Sequence, residues 1–308
     1  MSGAAGEAAR VPERAGYDVP RRATLLLAGL LAGAFWLLPE ARAVEPPAAK
    51  DLFGAVATPA PNGSARVIGS YARGCLAGGT ALPANGPGWQ AVRLARNRTW
   101  GHPLLIAFIE RLAAAARKDG WPGLLVGDMA QPRGGPMRTG HASHQIGLDV
   151  DIWLTPMPDR RLSAEERESL GAVSMLAAGK LTAEPARLTP ARIALIRRAA
   201  LDPAVSRIFV HPGIKQALCR NAGDKRAWLA KVRPWWGHDS HFHVRLGCPK
   251  GEPLCHDQDP PPAGDGCGAE LAWWFTDEPW QPKPPSPPPK PITLADLPAE
   301  CGAVLRAP

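Results

Sequence analysis

The chain has 308 residues, is 45% hydrophobic and carries a formal net charge of +8. This length suits one large domain or two small ones. Without residues 1–43, which hold five arginines and four acidic residues, 31 basic and 24 acidic residues remain, a net charge of +7. No basic run interleaves with aromatic residues, which argues against a nucleic-acid-binding protein. The positive charge fits simple solubility or affinity for an anionic matrix outside the cytoplasm.

The N-terminal segment has the layout of a secretory signal. Arg21 and Arg22 precede an apolar run over residues 23–38, and residues 41–43 read Ala-Arg-Ala, a typical cleavage motif. We therefore predict a signal peptide over 1–43 and no membrane span after its cleavage. An uncleaved anchor is the alternative, because the apolar run is just short of a span. The arginine pair lacks most of the twin-arginine pattern, which favours general secretion.

Six cysteines are present, and no two form a C-x-x-C pair. This spacing argues against a cysteine-type zinc site. An even number of cysteines in an exported chain instead predicts three disulfides and a periplasmic location, although the sequence alone permits fifteen pairings.

The elements alternate between helices and short strands. Residues 44–65 are rich in alanine and proline and are predicted to be a flexible lead-in. Apolar periodicity predicts helices over 104–118, 163–179, 190–200, 214–220 and 225–232, and strands over 124–129, 148–154, 207–210 and 241–246. We expect a single α+β domain over 66–278 with a mostly antiparallel sheet flanked by helices. Residues 279–308 form a proline-rich tail, whose first part, to residue 291, favours polyproline II.

Two histidine-rich strings, residues 140–151 and 235–243, contain five of the eight histidines. In the strand predicted over 148–154, Asp149, Asp151 and Trp153 share one face. In the strand over 241–246, His241 and His243 share one face. The sequence therefore predicts that carboxylates and imidazoles come together on the sheet.

His144, Asp151 and His243 offer two nitrogens and one oxygen, which leaves the fourth position of a tetrahedral zinc open for catalysis. A lone histidine is usually an ordinary core or surface residue. A buried group of imidazoles without a metal would leave unsatisfied nitrogens. We therefore predict one catalytic zinc per chain, bound on the sheet.

The other histidines divide into a catalytic and a structural group. His241 is predicted to be the general acid/base. His238 is predicted to stabilise the oxyanion or orient His241, with a fourth-ligand role as the alternative. His211 is expected to end a strand, and no function is assigned to the two remaining histidines, His102 and His256. Trp235 and Trp236 are predicted to line a substrate groove or to belong to the core.

These strings resemble the penicillin-insensitive murein endopeptidase family, within the wider group that includes lysostaphin-type enzymes, D-Ala-D-Ala metallopeptidases and the hedgehog domain. The similar segments are residues 69–75, 93–98, 140–153, 207–219 and 232–248. The resemblance implies zinc ligands at His144, Asp151 and His243, and catalytic roles for His241 and His238. It also implies hydrolysis of D-alanyl–diaminopimelyl peptidoglycan cross-links, without a serine that β-lactams acylate. The implied disulfides are Cys75–Cys301, Cys219–Cys267 and Cys248–Cys255.

Some members of the family hold a second zinc through the position of His141 and an aspartate and histidine further along the chain. Here the corresponding stretch, residues 178–181, has no ligand side chain at either end, which places a second zinc at His141 in doubt. Two alternatives to the endopeptidase remain. One is a zinc D,D-carboxypeptidase acting on uncrosslinked stems, and the other is a zinc-stabilised wall-binding protein without catalysis.

Overall fold

A computed structural model describes residues 45–61, 63–282, 286–287 and 290–308. The predicted signal peptide over 1–43 lies outside these residues. Within the part of the chain that is described, no helix combines the length and the apolar character needed to cross a membrane.

Seven α-helices occur among the described residues: α1 (Ala49–Phe53), α2 (Pro103–Lys118), α3 (Ala164–Ser169), α4 (Pro190–Leu201), α5 (Pro212–Asn221), α6 (Ala269–Trp273) and α7 (Glu300–Arg306). The strands are β1 (Arg66–Ser70), β2 (Arg73–Ala77), β3 (Thr80–Ala81), β4 (Asn85–Gly86), β5 (Trp89–Ala91), β6 (Trp100–Gly101), β7 (Leu124–Val126), β8 (Asp149–Trp153), β9 (Val205–Val210), β10 (Val232–Pro234) and β11 (His241–Leu246).

Seven strands form the central sheet, in the order β10-β9-β11-β8-β7-β5-β4. The pairs β10–β9 and β7–β5 are parallel, and the other four pairs are antiparallel. Helix α4 packs against β9, and α5 packs against β10. The expectation of an α+β domain with a mostly antiparallel sheet is therefore confirmed.

Helix α2 shows how local sequence determines the elements that support the sheet. Its first residue is Pro103, and the His102 side chain accepts a hydrogen bond from the Leu104 N–H, which caps the helix. Leu105, Ile109, Leu112 and Ala116 recur at helical spacing and are buried. The helix agrees with the prediction over 104–118 within one residue.

Strands β8 and β11 lie side by side in the middle of the sheet and divide their side chains between two faces. Phe242 and Val244 lie opposite Ile152 and Val150, and all four are fully buried in the main hydrophobic core. Alternation along the strands sends the intervening residues to the other face. There His243 lies opposite Asp151, and Arg245 lies opposite Asp149.

A buried ion pair joins these two strands. The Arg245 Nε donates to Asp149 Oδ1 at 2.8 Å, and Asp149 is fully buried. The Arg245 guanidinium also lies 4.1 Å from the centre of the Tyr71 ring and donates to Gln258. A buried carboxylate is stable only when its charge is compensated. Because Arg245 lies opposite Asp149 only in this strand register, the register determines whether the charge of Asp149 is neutralised.

In a second, smaller hydrophobic core, residues from the first and last helices of the described chain pack together. It contains Phe53 of α1, Ile68 of β1 and Val304 of α7 around the Cys75–Cys301 disulfide. The Arg133 guanidinium donates to the carbonyl oxygens of the last residues, Val304, Leu305 and Ala307. The structure therefore differs from the flexible lead-in predicted over 44–65, because Phe53 has an apolar partner that its local composition does not reveal.

The other two disulfides are Cys219–Cys267 and Cys248–Cys255. The three pairs are the same as those that the family resemblance implies. No free cysteine remains among the described residues.

Three predicted elements are corrected. The helix over 163–179 is wrong beyond Ser169, because Met175 is buried in the core and donates its N–H to the Asp239 carbonyl, which holds this segment extended. The helix over 225–232 is a 3₁₀ helix over Ala227–Lys231, and Val232 begins β10. The strand over 124–129 ends at Val126.

Removal of the Cys75–Cys301 disulfide is expected to destabilise the protein by about 2–5 kcal/mol, because this bridge closes the longest loop. Its cysteines are 226 residues apart, whereas Cys248 and Cys255 are 7 apart. Urea denaturation of the Cys75→Ser/Cys301→Ser variant measures the loss, with Cys248→Ser/Cys255→Ser as the control. Equal losses in the two variants would contradict the loop-closure explanation.

Asp149→Ala or Arg245→Ala alone should cost about 3–5 kcal/mol, because each leaves a buried charge unpaired. The double variant Asp149→Leu/Arg245→Met should cost less than either single change. The matched control is the exposed pair Arg198–Asp119, whose disruption should cost about 0–1 kcal/mol. Urea denaturation measures the free energy of unfolding of the two single variants, the double variant and the control. A loss in the double variant as large as the two single losses together would rule out the coupling.

Candidate metal centre

The two histidine strings meet where β8 and β11 pair. The segment between β7 and β8 carries His141 and His144, and Asp151 lies in the middle of β8. His241 and His243 are the first and third residues of β11. His144 and the loop residue His238 have positive φ angles of 66° and 56°. Such angles are uncommon for residues other than glycine and occur often at functional sites.

Asp151 is the centre of the cluster. Its Oδ1 lies 3.5 Å from His144 Nε2, 3.7 Å from His243 Nδ1 and 3.7 Å from His241 Nε2. Its Oδ2 lies 3.4 Å from His141 Nε2. Four imidazole rings thus surround one buried carboxylate. A carboxylate does not need four imidazoles to satisfy its hydrogen bonding.

Several polar atoms at the centre are buried and have no hydrogen-bond partner within the described structure. They include both ring nitrogens of His144, Oδ1 of Asp151 and Nε2 of His241. Unpartnered buried polar groups are costly, so their convergence indicates a missing ligand. Imidazole nitrogens and a carboxylate oxygen are suitable donors for zinc, and the residues present therefore fit this metal.

Two sets of ligands are geometrically possible. His141, His144 and Asp151 place one donor atom each within 4.8 Å of one another. His243 approaches the same Asp151 oxygen as His144, whereas His141 approaches the other one. His141 Nε2 also lies 3.1 Å from Asp128 Oδ2, so this nitrogen already has a hydrogen-bond partner, which argues for the set that contains His243.

The buried carboxylate Asp149 supports this centre from behind. Its Oδ1 lies 3.0 Å from His243 Nε2, although the hydrogen-bond alignment is poor. Its Oδ2 accepts the backbone N–H of His144 at 3.0 Å. Carboxylates in this position orient metal-binding histidines by holding the ring nitrogen that faces away from the metal. Asp149 thus supports two of the candidate ligand residues.

Asp128 supports the other side. Its Oδ2 accepts hydrogen bonds from Arg98 at 2.9 Å and Arg96 at 3.0 Å, in addition to its contact with His141. Burial opposes ionisation, but His141 and the two arginines outweigh it and lower the pKa of Asp128 to about 2. The contact with Asp128 in turn raises the pKa of His141 against the effect of burial.

Burial keeps the His243 ring neutral. It lowers the pKa of His243 to about 3, although Asp149 acts in the opposite direction. Burial disfavours ionisation of Asp151, but the neighbouring imidazoles, His241 first, hold its pKa well below the usual range. Neutral imidazole and ionised carboxylate are the protonation states that a metal ion requires.

The hydrogen bonding of His238 fixes its tautomer. Its Nδ1 lies 2.7 Å from the carbonyl oxygen of Trp236, which only accepts, so Nδ1 carries the proton. Burial and then the charge of His241 lower the pKa of His238 to about 4, which keeps the ring neutral near pH 7. Its Nε2 is therefore an acceptor. This geometry is contrary to the expectation that His238 donates a hydrogen bond to an oxyanion.

Two of the three remaining histidines cap helices. The His211 side chain accepts a hydrogen bond from the Gly213 N–H and caps α5, as His102 caps α2. The contacts of Asp128 and Asp149 with the site histidines were not predicted from the sequence. Strand alternation places Asp149 on the same face as Asp151, so its position near the site could have been predicted. Asp128 is a single acidic residue after a short strand, and no sequence pattern connects it with the site.

The sequence profile of the family described as penicillin-insensitive murein endopeptidase matches residues 67–306, which extends the similarity past residue 280 into the proline-rich tail. A Klebsiella pneumoniae subsp. pneumoniae protein of that name is 48% identical over 243 residues, 79% of this chain and 87% of that protein. A Haemophilus influenzae protein of the same name is 48% identical over 253 residues, 81% and 86% of the two chains. A Yersinia enterocolitica relative is 46% identical over 243 residues, 79% and 86%. The chain belongs to the penicillin-insensitive murein endopeptidase family.

Proposed function

We propose that this protein is a periplasmic, zinc-dependent endopeptidase that hydrolyses D-alanyl–meso-diaminopimelyl cross-links in peptidoglycan. The relatives' name supports murein as the substrate and endopeptidase as the reaction class. The observation that carries the metal part is the buried Asp151 Oδ1, which has no hydrogen-bond partner and lies near the equally unpartnered Nε2 atoms of His144 and His241.

His144, Asp151 and His243 are proposed to hold the zinc through Nε2, Oδ1 and Nδ1. When bound, zinc supplies Lewis acidity for amide hydrolysis. Asp149 Oδ1 lies 3.0 Å from the far nitrogen of His243, which favours a proton on Nε2 and leaves the lone pair of Nδ1 on the side of Asp151. The three residues come from a loop and two paired strands, which fixes their separation without help from the metal.

His241 is proposed to move the protons. Its side chain is partly exposed, and its buried Nε2 lies 3.7 Å from Asp151 Oδ1 and has no hydrogen-bond partner within the described structure. His241 accepts a proton from the attacking water as the water oxygen bonds to the scissile carbonyl carbon. It then gives that proton to the leaving amine as the C–N bond breaks. No serine nucleophile takes part, so β-lactams that acylate serine have no target.

His238 is proposed to assist His241 as an acceptor. The two ring centres are 4.9 Å apart, and the free Nε2 of His238 suits a hydrogen bond from the imidazolium that His241 becomes. The hydrogen bond from His238 Nδ1 to the Trp236 carbonyl holds the ring in this tautomer.

His141 is proposed to orient Asp151 rather than to bind a second zinc. Its Nε2 lies between Asp128 Oδ2 and Asp151 Oδ2, which leaves Oδ1 of Asp151 for the metal. One zinc per chain therefore completes the site.

The proposed location and domain limits follow from the signal-like N-terminus and the disulfides. Three disulfides suit an oxidising compartment such as the periplasm. We propose cleavage after residue 43, an endopeptidase domain over 66–278, and a tail over 279–308 that Cys301 tethers.

The decisive assay incubates the mature chain with purified cross-linked muropeptide dimers and with uncrosslinked pentapeptide monomers, with and without chelator. Mass spectrometry should show zinc-dependent conversion of dimers to monomers. Release of D-alanine from monomers alone would support the D,D-carboxypeptidase, and binding of peptidoglycan without cleavage would support the wall-binding alternative.

The mature protein should contain about one tightly bound zinc per chain. His144→Ala, Asp151→Ala and His243→Ala should each lose most of it, because each removes a ligand. His141→Ala and the exposed control His256→Ala should retain it. Metal analysis by mass spectrometry after gel filtration measures the content. Loss of zinc from His141→Ala together with its retention in His243→Ala would show that the alternative ligand set is correct.

His241→Ala should keep its zinc and its fold but lose about 10²–10⁴-fold in the rate of dimer cleavage, the usual contribution of a positioned acid/base group. His243→Ala should lose both zinc and activity. Steady-state kinetics with parallel metal analysis separates the two roles. If His241→Ala keeps both zinc and full activity, His238 becomes the candidate for proton transfer.

A further inference from the structure

An exposed tryptophan lies at the edge of the metal centre. Trp235 directly follows β10, and its side chain is 48% exposed, which is unusual for a large aromatic residue. The ring centre is 5.9 Å from that of Phe209, and Phe209 packs edge-on against His243 at 5.2 Å. Trp235 is therefore connected to a candidate zinc ligand through a single intervening ring.

The rings behind Trp235 hold it in place. Trp236 packs against Trp235 at 5.1 Å and against the buried Trp274 at 4.5 Å. The Trp236 Nε1 donates to the carbonyl oxygen of Pro279, and Trp280 stacks on His211. These ring contacts, together with the backbone hydrogen bond from the Trp235 N–H to the Val210 carbonyl, hold the exposed Trp235 ring in place. A rigid exposed aromatic ring is typical of binding sites.

We infer that Trp235 binds the substrate peptide beside the scissile bond, through the methylene chain of a diaminopimelyl residue. This inference rests on the proposed function. The flat indole face offers apolar contact, and diaminopimelate carries a run of methylene groups between its polar ends. Trp235 would thus help to select a cross-linked peptide by the length and apolar character of its cross-linking side chain.

The glycan strand is the other part of the substrate that stacks on aromatic rings, but in an extended peptide it lies further from the scissile bond than the flanking diaminopimelyl residue. Four stem residues separate the sugar from the scissile carbonyl on the donor strand, and an extended peptide spans about 3.3–3.6 Å per residue. The sugar would therefore lie about 13–14 Å from the scissile carbonyl. The ring centre of Trp235 lies at most about 11 Å from that of His243, because Phe209 lies 5.9 Å from the one and 5.2 Å from the other, and this shorter span favours the residue that flanks the scissile bond.

The test compares two substrates, the intact muropeptide dimer and the same cross-linked dimer after removal of its sugars by an amidase. In the zinc-loaded wild type, KM should be similar for both. Trp235→Ala should raise KM about 10- to 100-fold for both substrates with little change in kcat, because the contact is made equally in the ground and transition states. Trp235→Phe should recover most of the loss. Leu201→Ala, which removes another exposed apolar side chain at the end of α4, is the matched control and should behave like the wild type.

Unchanged KM in Trp235→Ala with an active wild type overturns this inference and leaves the proposed function standing. A rise in KM confined to the sugar-bearing dimer also overturns it, in favour of a glycan contact. A wild type that cleaves neither dimer with zinc present refutes the proposed function instead. If Trp235→Ala does not fold, Trp235→Leu, which keeps an apolar side chain without the flat ring, carries the same comparison.

Discussion

The antiparallel pairing of β8 with β11 is the constraint on which the rest of the structure depends. It places His243 opposite Asp151 and Arg245 opposite Asp149 on one face, and buries four apolar side chains on the other. A slip by one residue would exchange the faces, and would put the charged groups into the core. Core packing and the geometry of the candidate metal centre are therefore fixed by the same register.

Charge compensation at this site is organised in two layers. The inner layer is Asp151 with the imidazoles around it, and the outer layer consists of Asp149 with Arg245 and Asp128 with Arg98. The outer pairs neutralise two buried carboxylates with arginine side chains. The inner atoms are left with unmet hydrogen-bonding capacity. Such a centre is expected to be preorganised, because the supporting charges do not have to move when a ligand arrives.

The parts of this arrangement that depend on local pattern were predictable from the sequence. Helix α2 and strand β11 follow from apolar periodicity, and the shared face of His241 and His243 follows from strand alternation. No local pattern groups His144 and Asp151 with His243, because residues 152–234 separate the two histidine-rich strings. That grouping depended on the ligand preferences of a catalytic zinc and on the family resemblance. The contact between Asp128 and His141 depends on β7 lying next to β8, which no local pattern specifies.

Tertiary contacts explain the predictions that were wrong. The segment after Ser169 has apolar residues suited to a helix, but the burial of Met175 and its backbone hydrogen bond to Asp239 hold it extended. Phe53 lies in a segment whose composition suggests flexibility, and it is ordered by a core built from the other end of the chain. The contact of His238 Nδ1 with the Trp236 carbonyl is a local feature that no sequence pattern specifies, and it favours the expected role of orienting His241 over that of donating to an oxyanion.

His144, Asp151 and His243, which the pairing of β8 with β11 brings together, are proposed to bind zinc. Anomalous diffraction at the zinc absorption edge, from crystals of the mature protein grown without chelator, tests this proposal most directly. The account predicts one strong peak per chain, bonded to His144 Nε2, Asp151 Oδ1 and His243 Nδ1, with Asp149 on the far nitrogen of His243. A peak bonded to His141 but not to His243, or no peak at this centre in protein that cleaves dimers, would contradict the account.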